Sequence, residues 1–152
     1  MSFKFGQSSL NHRAGVDPRL IEISDRAIAL SPIDFGVPQL GGLRSATDQA
    51  QLFTAGKSKC DGRVNLSYHQ SAKALDVYAY VDGKASWEKE HLALIAAAML
   101  QAANELGHNK LEWGGLWKGF VDMPHFQLSI LRTNKRKLCT CTVVGCFSLK
   151  HL

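Results

Sequence analysis

Long apolar runs are absent from this 152-residue chain. No stretch of about 18 consecutive apolar residues occurs, so we predict no transmembrane helix. The opening segment, MSFKFGQSSL, lacks an apolar core of signal-peptide length, and we therefore expect no secretory signal. Internal repeats and low-complexity segments are also missing, which argues against a repeat architecture and against extensive disorder. Cysteine is scarce, at four residues, and thiols that stay reduced fit the cytoplasm.

Acidic residues are outnumbered by basic ones, 13 to 18, which gives a formal net charge of +5. Four of the basic residues lie together near the C-terminus: Arg132, Lys135, Arg136 and Lys137. Because the excess charge belongs mostly to this tail, we predict no nucleic-acid-binding groove. The length suits one domain, which we place at residues 1–130, and we assign residues 131–152 to a basic, cysteine-containing tail.

Capping residues and apolar periodicity predict three helices, at residues 17–30, 45–56 and 86–106. Asp17 can cap the first helix and Pro18 suits its first position, while Ser45 and Asp48 resemble a capping box for the second. Strand-like composition or alternation marks four further segments: 33–40, 74–81, 111–114 and 125–129. The order of these elements predicts an α+β domain with a mainly antiparallel sheet packed with helices.

Two segments bring together the residue types that a catalytic metal needs. SYHQSAKALDVY contains His69 and Asp76, and FVDMPHFQL contains Asp122 and His125. A catalytic zinc takes three protein ligands from histidine and carboxylate and keeps a fourth position for water. A second carboxylate must then accept a proton and pass it to the leaving amine. His69, Asp76 and His125 can supply the ligands and Asp122 the base.

Each of these residues also has an ordinary structural interpretation. A histidine near a strand is commonly a surface or hydrogen-bonded side chain, Asp76 could solvate an edge strand, and Asp122 could cap a turn. Arg44, within GGLRSATDQ, could pair with a surface acid. The intervals between the histidines and the aspartates do not decide the matter, because such spacings occur often by chance.

The motifs around these residues resemble those of the zinc peptidases that include D-alanyl-D-alanine carboxypeptidases and phage or bacterial L-alanyl-D-glutamate endopeptidases. They come in the order and spacing of that family, from about Gly15 to Leu128: Ser67-Tyr68-His69, Ala74-Leu75-Asp76, Glu112-Trp113-Gly114-Gly115, Trp117-Lys118 and Asp122-Met123-Pro124-His125-Phe126-Gln127-Leu128. One such motif would be a weak signal. The ordered set, which ends in WGG-x-WK-x-F-x-D-x-PHFQL, is a specific one.

By this resemblance, His69, Asp76 and His125 match the ligands of one zinc ion. Asp122 matches the acidic residue that serves as general base. The implied fold is the compact α+β fold of these peptidases.

The resemblance also implies roles toward the substrate. Arg44 matches the arginine that polarises the scissile carbonyl or steadies the oxyanion, and Ser67 and Gln49 match substrate-contacting positions. Two features depart from the family pattern. Leu116 stands where relatives often carry aspartate, and the tail at 131–152 has no counterpart.

The expected function is that of a phage endolysin that cuts L-alanyl-D-glutamate bonds in peptidoglycan stem peptides. Such an enzyme waits in the host cytoplasm until a holin opens the inner membrane. A D-alanyl-D-alanine carboxypeptidase is the alternative within the same chemistry, and the missing export signal favours the lytic role. A non-catalytic wall-binding module is the alternative from another class, and the complete set of acid, histidine and arginine residues argues against it.

We expect a monomer with bacterial peptidoglycan as its partner and no nucleic acid. For the tail, weak contact with anionic membrane and a segment without a role are two alternatives. Cations beside apolar residues are compatible with the first, at about 1 kcal/mol per Lys or Arg near an anionic surface, and the two alternatives stay open.

Overall fold

The computed structural model describes residues 2–129 and residues 138–139. Within these residues the helices are α1 (Gln7–His12), α2 (Pro18–Leu30), α3 (Ala46–Thr54) and α4 (Lys89–Glu105). The strands are β1 (Asp34–Gly36), β2 (Leu66–Ser67), β3 (Ala74–Asp76), β4 (Tyr78–Val81), β5 (Lys84–Ser86), β6 (Leu111–Trp113), β7 (His125–Leu128) and β8 (Leu138–Cys139). Two 3₁₀ turns, Tyr68–Ser71 and Gly114–Leu116, follow β2 and β6 directly.

Helices α2 and α3 begin where the sequence predicts them. The carboxylate of Asp17 accepts a hydrogen bond from the backbone N–H of Arg19 at the start of α2, where Pro18 occupies the first turn. A reciprocal capping box joins Ser45 and Asp48 at the start of α3. These caps satisfy backbone donors that have no partner inside the helix, and they fix where the chain enters α2 and α3.

The apolar core lies where α2 and α4 pack together against the strands. Leu20 and Ile23 of α2 and Ile95 and Met99 of α4 are completely buried in it. The predicted helix at 86–106 is thus confirmed as α4, although its first residues form β5 and a cap at Glu88. Burying these side chains contributes roughly 1.5–3 kcal/mol each, which makes α2 and α4 a firm base for the sheets.

The strands form two three-stranded antiparallel sheets, with orders β1-β4-β5 and β3-β7-β6. The single strand predicted at 74–81 is therefore two strands in different sheets. The break falls at Val77, whose backbone N–H donates to the carbonyl of Pro124 at 3.0 Å. Val77 is a residue that favours strands, so the sequence carries no sign of the change of partner. The prediction of an α+β fold with mainly antiparallel pairing is confirmed.

Strand β7 is the central strand of the second sheet and carries two kinds of side chain. Phe126 and Leu128 belong to the apolar core, whereas His125 and Gln127 alternate with them and are also buried. Successive side chains on a strand point to opposite faces, so His125 and Gln127 share the face away from that core. This face is where the polar residues of the candidate site meet.

The short strand β8 pairs in parallel with β2, with Leu66 opposite Leu138 and Ser67 opposite Cys139. Two residues of the proposed tail thus lie beside the strand that leads to His69. The remaining tail residues, and with them the proposed division at residue 130, lie outside the described part of the chain, and the division stays a prediction. Among the described residues no helix is both long and apolar enough to cross a membrane.

Candidate metal centre

Three of the predicted residues meet in one buried cluster. His69, Asp76 and His125 each offer one ligand atom, and these atoms all lie within 4.8 Å of one another. Their exposed fractions are 0%, 4% and 1%. The residues are far apart in sequence, and the antiparallel pairing of β3 with β7 places Asp76 directly opposite His125.

His69 reaches the cluster from the 3₁₀ turn that follows β2. Ser67 caps this turn and forms a capping box with Gln70, and Ala72 ends the turn in the left-handed conformation with φ 60°. The carbonyl of Gly42 lies 2.8 Å from Nδ1 of His69. Because a carbonyl can only accept, Nδ1 carries the proton and Nε2 keeps its lone pair.

The lone pair of His69 Nε2 points into the cluster. This atom is buried and makes no hydrogen bond within the described residues, and it lies 3.2 Å from Oδ1 of Asp76. A buried polar atom without a hydrogen bond costs about 1–3 kcal/mol, so its retention calls for a ligand. Burial lowers the pKa of His69 to about 4 and keeps the ring neutral, which is the form that binds a metal.

His125 faces the cluster with Nδ1, whereas His69 faces it with Nε2. Its Nδ1 lies 2.9 Å from Oδ1 of Asp76, and its Nε2 lies 3.0 Å from Oε1 of Gln127. Burial alone would lower the pKa of His125, but the hydrogen bond to Asp76 and the charges of Asp76 and Asp122 raise it. A proton on Nδ1 therefore competes with any cation at this site.

Asp76 stands at the centre of the cluster with its two oxygens divided between two tasks. Oδ1 faces both imidazoles, and Oδ2 accepts a hydrogen bond of 2.9 Å from Nη2 of Arg44. Burial opposes ionisation, yet His69, His125 and Arg44 together hold the pKa of Asp76 below its usual range. The side chain is therefore an ionised carboxylate with one oxygen directed at the two imidazoles.

Arg44 is 2% exposed and donates hydrogen bonds inside the protein. Besides Asp76, its guanidinium donates from Nε to the carbonyl of Leu40 at 2.6 Å and from Nη1 to Oε1 of Gln49 at 3.3 Å. Gln49 is completely buried and donates in turn to Oγ of Ser58 and to the Cys60 carbonyl. Arg44 and Gln49 thus hold the Asp76 carboxylate in place, and their predicted contacts with substrate stay predictions.

Asp122 is 6% exposed and lies on the turn that enters β7. Its carbonyl accepts from the backbone N–H of His125 at 3.2 Å, and its own N–H donates to Gly114 at 3.0 Å. A side chain at Gly114 would collide with the carbonyl of Asp122, and Nε1 of Trp113 donates to Met123 at 2.7 Å. Trp113 and Gly114 therefore hold the turn that carries Asp122 in position.

Ser67 is completely buried, and its hydroxyl accepts from the backbone N–H of His69 at 3.3 Å. The hydroxyl thus orients the first ligand, and its predicted contact with substrate stays a prediction.

One edge of the cluster is formed by the loop between β6 and β7. The Trp117 ring lies 5.3 Å from that of His125, while Leu116 and Val121 are 71% and 56% exposed. Nζ of Lys59 sits 4.2 Å from the centre of the Phe120 ring and links this loop to the one before β2. This aromatic loop therefore flanks the buried cluster beside His125.

Sequence reasoning did not assign a role to Gln127 or Glu112. Gln127 is 1% exposed and contacts His125, and its Nε2 donates to Oε2 of Glu112 at 2.9 Å. The alternation of polar and apolar residues in HFQL was the available signal, because it places Gln127 on the face of His125.

The sequence also matches a known protein family. The family model described as "Phage L-alanyl-D-glutamate peptidase" matches residues 1–129. The chain belongs to this family. The resemblance drawn from the motifs and the assignment as a peptidase are thereby confirmed.

Two curated proteins and one protein of known crystal structure are similar to this chain. L-alanyl-D-glutamate peptidase of Escherichia phage T5 is 37% identical over 123 residues, or 80% of this chain and 87% of the phage protein. Peptidoglycan L-alanyl-D-glutamate endopeptidase CwlK of Bacillus subtilis (strain 168) is 31% identical over 98 residues, 57% of each chain. The crystal structure of the Serratia marcescens L-Ala D-Glu endopeptidase ChiX gives a TM-score of 0.72 at 38% identity, covering 83% of this chain and 90% of that one.

Proposed function

We propose that the peptidase holds one zinc ion through His69, Asp76 and His125 and hydrolyses the L-alanyl-D-glutamate bond of peptidoglycan stem peptides. The observation that carries the proposal is the buried Nε2 of His69, which has no hydrogen bond in the described residues and faces the Asp76 carboxylate beside His125. The relatives named for that bond support the choice of substrate.

The donor set fits zinc. Two imidazole nitrogens and one carboxylate oxygen form a ligand set that catalytic zinc sites use, with one position left for water. Neighbouring hydrogen bonds to Gly42 and Arg44 orient two of the three ligands, as such sites require. Zinc in this place would supply a Lewis acid for the scissile carbonyl and lower the pKa of bound water to about 7.

Asp122 is the residue we assign to proton transfer. It is buried beside the site, and its negative charge acts on both Arg44 and His125. Its carboxylate would accept the proton of the attacking water and return it to the amine of the departing D-glutamate. A positioned general base of this kind contributes roughly 10²–10⁴-fold to the rate.

Arg44 is assigned two tasks. Its hydrogen bond to Oδ2 holds Asp76 so that Oδ1 faces the metal position. Three of the five guanidinium N–H groups donate within the protein, and we propose that the others face the scissile carbonyl as negative charge develops on it. Such a donor is worth on the order of 10²–10³ in rate.

We propose a biological role that the phage relative supports. An enzyme of this kind would act as an endolysin, held in the host cytoplasm and released to the cell wall by a holin. The relative from phage T5 supports this role. The trimming of terminal D-alanine is the alternative, and product analysis would have to show it instead. The monomeric state and a membrane contact of the tail stay predictions.

The metal assignment is tested by removing and restoring zinc in the full chain. Elemental analysis of the purified protein should give one zinc per chain, a chelator should abolish cleavage of purified peptidoglycan, and added zinc should restore it. His108→Ala is the matched control, because His108 pairs with Glu22 on the surface and should leave zinc content unchanged. A metal-free preparation with full activity would contradict the proposal.

A further inference from the structure

We propose that Glu112, acting through Gln127, keeps a proton on Nε2 of His125, so that Nδ1 is the nitrogen that binds the metal. The two residues would be positioning residues, because neither reaches the reacting atoms. The inference rests on the proposed metal site and adds the reason why the second histidine binds through a defined nitrogen.

The register of the second sheet places the three residues in a row. Glu112 of β6 lies opposite Gln127 of β7, and Gln127 follows His125 by two residues on the same face. Nε2 of His125 lies 3.0 Å from Oε1 of Gln127, and Nε2 of Gln127 donates to Oε2 of Glu112 at 2.9 Å. Ser129 donates its hydroxyl to the other oxygen of Glu112. An unbroken chain of hydrogen bonds therefore runs from the sheet edge to the imidazole.

The direction of this chain follows from which groups can donate. An ionised carboxylate only accepts hydrogen bonds, so the amide of Gln127 must turn its NH₂ group toward Glu112. The amide oxygen then faces His125, and an oxygen there can only accept. Nε2 of His125 must therefore keep its proton, and Nδ1, which faces Oδ1 of Asp76, is the nitrogen that can exchange its proton for a metal.

Gln127 needs an acidic partner because either the oxygen or the NH₂ group of its amide can face His125. His69 is oriented by the backbone carbonyl of Gly42, which cannot exchange donor for acceptor. Gln127 can rotate its amide by half a turn and present NH₂ to His125 instead. The rotated amide would oppose a proton on Nε2 and so disfavour binding through Nδ1. Gln127 is 1% exposed, so solvent cannot easily take over the role of its oxygen.

The test begins with Glu112→Gln in the full chain, which keeps the shape and removes the requirement for an acceptor. Glu112 is exposed, so the fold should tolerate the change. Competition with a chelator should show reduced zinc affinity, up to the roughly 10–100-fold that loss of a direct partner of a metal-binding histidine costs. Nitrogen-labelled protein should show the Nε2–H proton of His125 protected from solvent exchange in the parent and less protected in the variant, with and without zinc.

A double variant supplies the rescue. In Glu112→Gln with Gln127→Glu, the carboxylate sits next to His125 and the amide sits at position 112, so an acceptor again faces Nε2. Zinc affinity and protection of the Nε2–H proton should both return toward the parent values. Glu90→Gln is the matched control, because it makes the same chemical change at an exposed position of α4 and should alter neither readout.

Three results would overturn the inference. The first is unchanged zinc affinity and proton protection in Glu112→Gln. The second is weaker affinity with full protection of the proton, which would mean that Glu112 acts through its charge alone. The third is a double variant that recovers neither property. Failure of the parent protein to bind zinc would refute the proposed function instead, and the proton readout of the metal-free chain would still judge the role of Glu112.

Discussion

Arg44→Ala should destabilise the fold as well as impair catalysis, because Arg44 neutralises a carboxylate that is itself buried. The guanidinium donates to Oδ2 of Asp76 at 2.9 Å, with side-chain exposures of 0% and 6%. The same side chain bonds the Leu40 carbonyl and Oε1 of Gln49. Its removal takes away the partner of Oδ2, so the buried carboxylate keeps only the imidazoles at Oδ1, and it also leaves an unsatisfied carbonyl and a cavity.

The size of the effect follows from the burial. Breaking one side of a buried ion pair costs about 3–5 kcal/mol, whereas an exposed pair is worth about 0–1 kcal/mol. In the zinc-bound protein the cation also neutralises Asp76, so the cost should be smaller than in the metal-free protein. Arg44→Lys should fall between, since one ammonium can pair with Asp76 but cannot reach all three partners of the planar fork.

Urea unfolding of the full chain, with chelator and with saturating zinc, measures both effects. Arg26→Ala is the control, because Arg26 pairs with Glu105 at the surface, where the side chains are 46% and 34% exposed. A loss of less than about 1 kcal/mol for Arg44→Ala in the metal-free protein, within the range of an exposed pair, would refute this reasoning. Arg44 would then act on the substrate alone.

Three further predictions follow from the site. Asp122→Asn should keep zinc and fold but lose turnover by about 10²–10⁴-fold, and loss of zinc on elemental analysis would make Asp122 a ligand instead. Gly114→Ala should lower both the urea midpoint and turnover, because the new methyl group meets the carbonyl of Asp122. In the control, Gly6→Ala, the methyl group meets open space; turnover should not change, and the midpoint should fall only by the cost of a poorer cap on α1. Equal midpoints for the two variants would contradict this. Zinc affinity should fall by about tenfold per pH unit below the raised pKa of His125, since one proton competes there. The pKa of His69 is lowered to about 4, so His69 should release no second proton on zinc binding above about pH 4. Chelator competition that shows two protons released per zinc over this whole range would contradict the role of His69 as a neutral ligand.

Short sequence patterns predicted the starts of α2 and α3 and the residues of the metal cluster. Asp17 and the pair Ser45 and Asp48 cap their helices as predicted, because a cap depends only on residues within one turn. His69 and Asp76 were identified by motifs, and the structure brings them together. Helix α1 was missed because its capping residue, Gly6, offers no side-chain hydrogen bond.

Features that depend on strand pairing could not be predicted from local sequence patterns. The exchange of sheets falls at Val77, a residue that favours strands, so no local pattern marks it. The contact of Glu112 with Gln127 arises from the register of β6 on β7, and that register is set by the whole sheet. The bond from Arg44 to Asp76 spans 32 positions and depends on the loop that brings Arg44 under the site.

Mass spectrometry of purified peptidoglycan digested by the zinc-loaded protein tests the central claim most directly. Cleavage of the L-alanyl-D-glutamate bond should create new L-alanine carboxyl ends and D-glutamate amino ends, and the chelated protein should create neither. Release of single D-alanine residues would instead identify a D-alanyl-D-alanine carboxypeptidase, and wall binding without any new ends would identify a non-catalytic module. Either of these two results would contradict the proposed function.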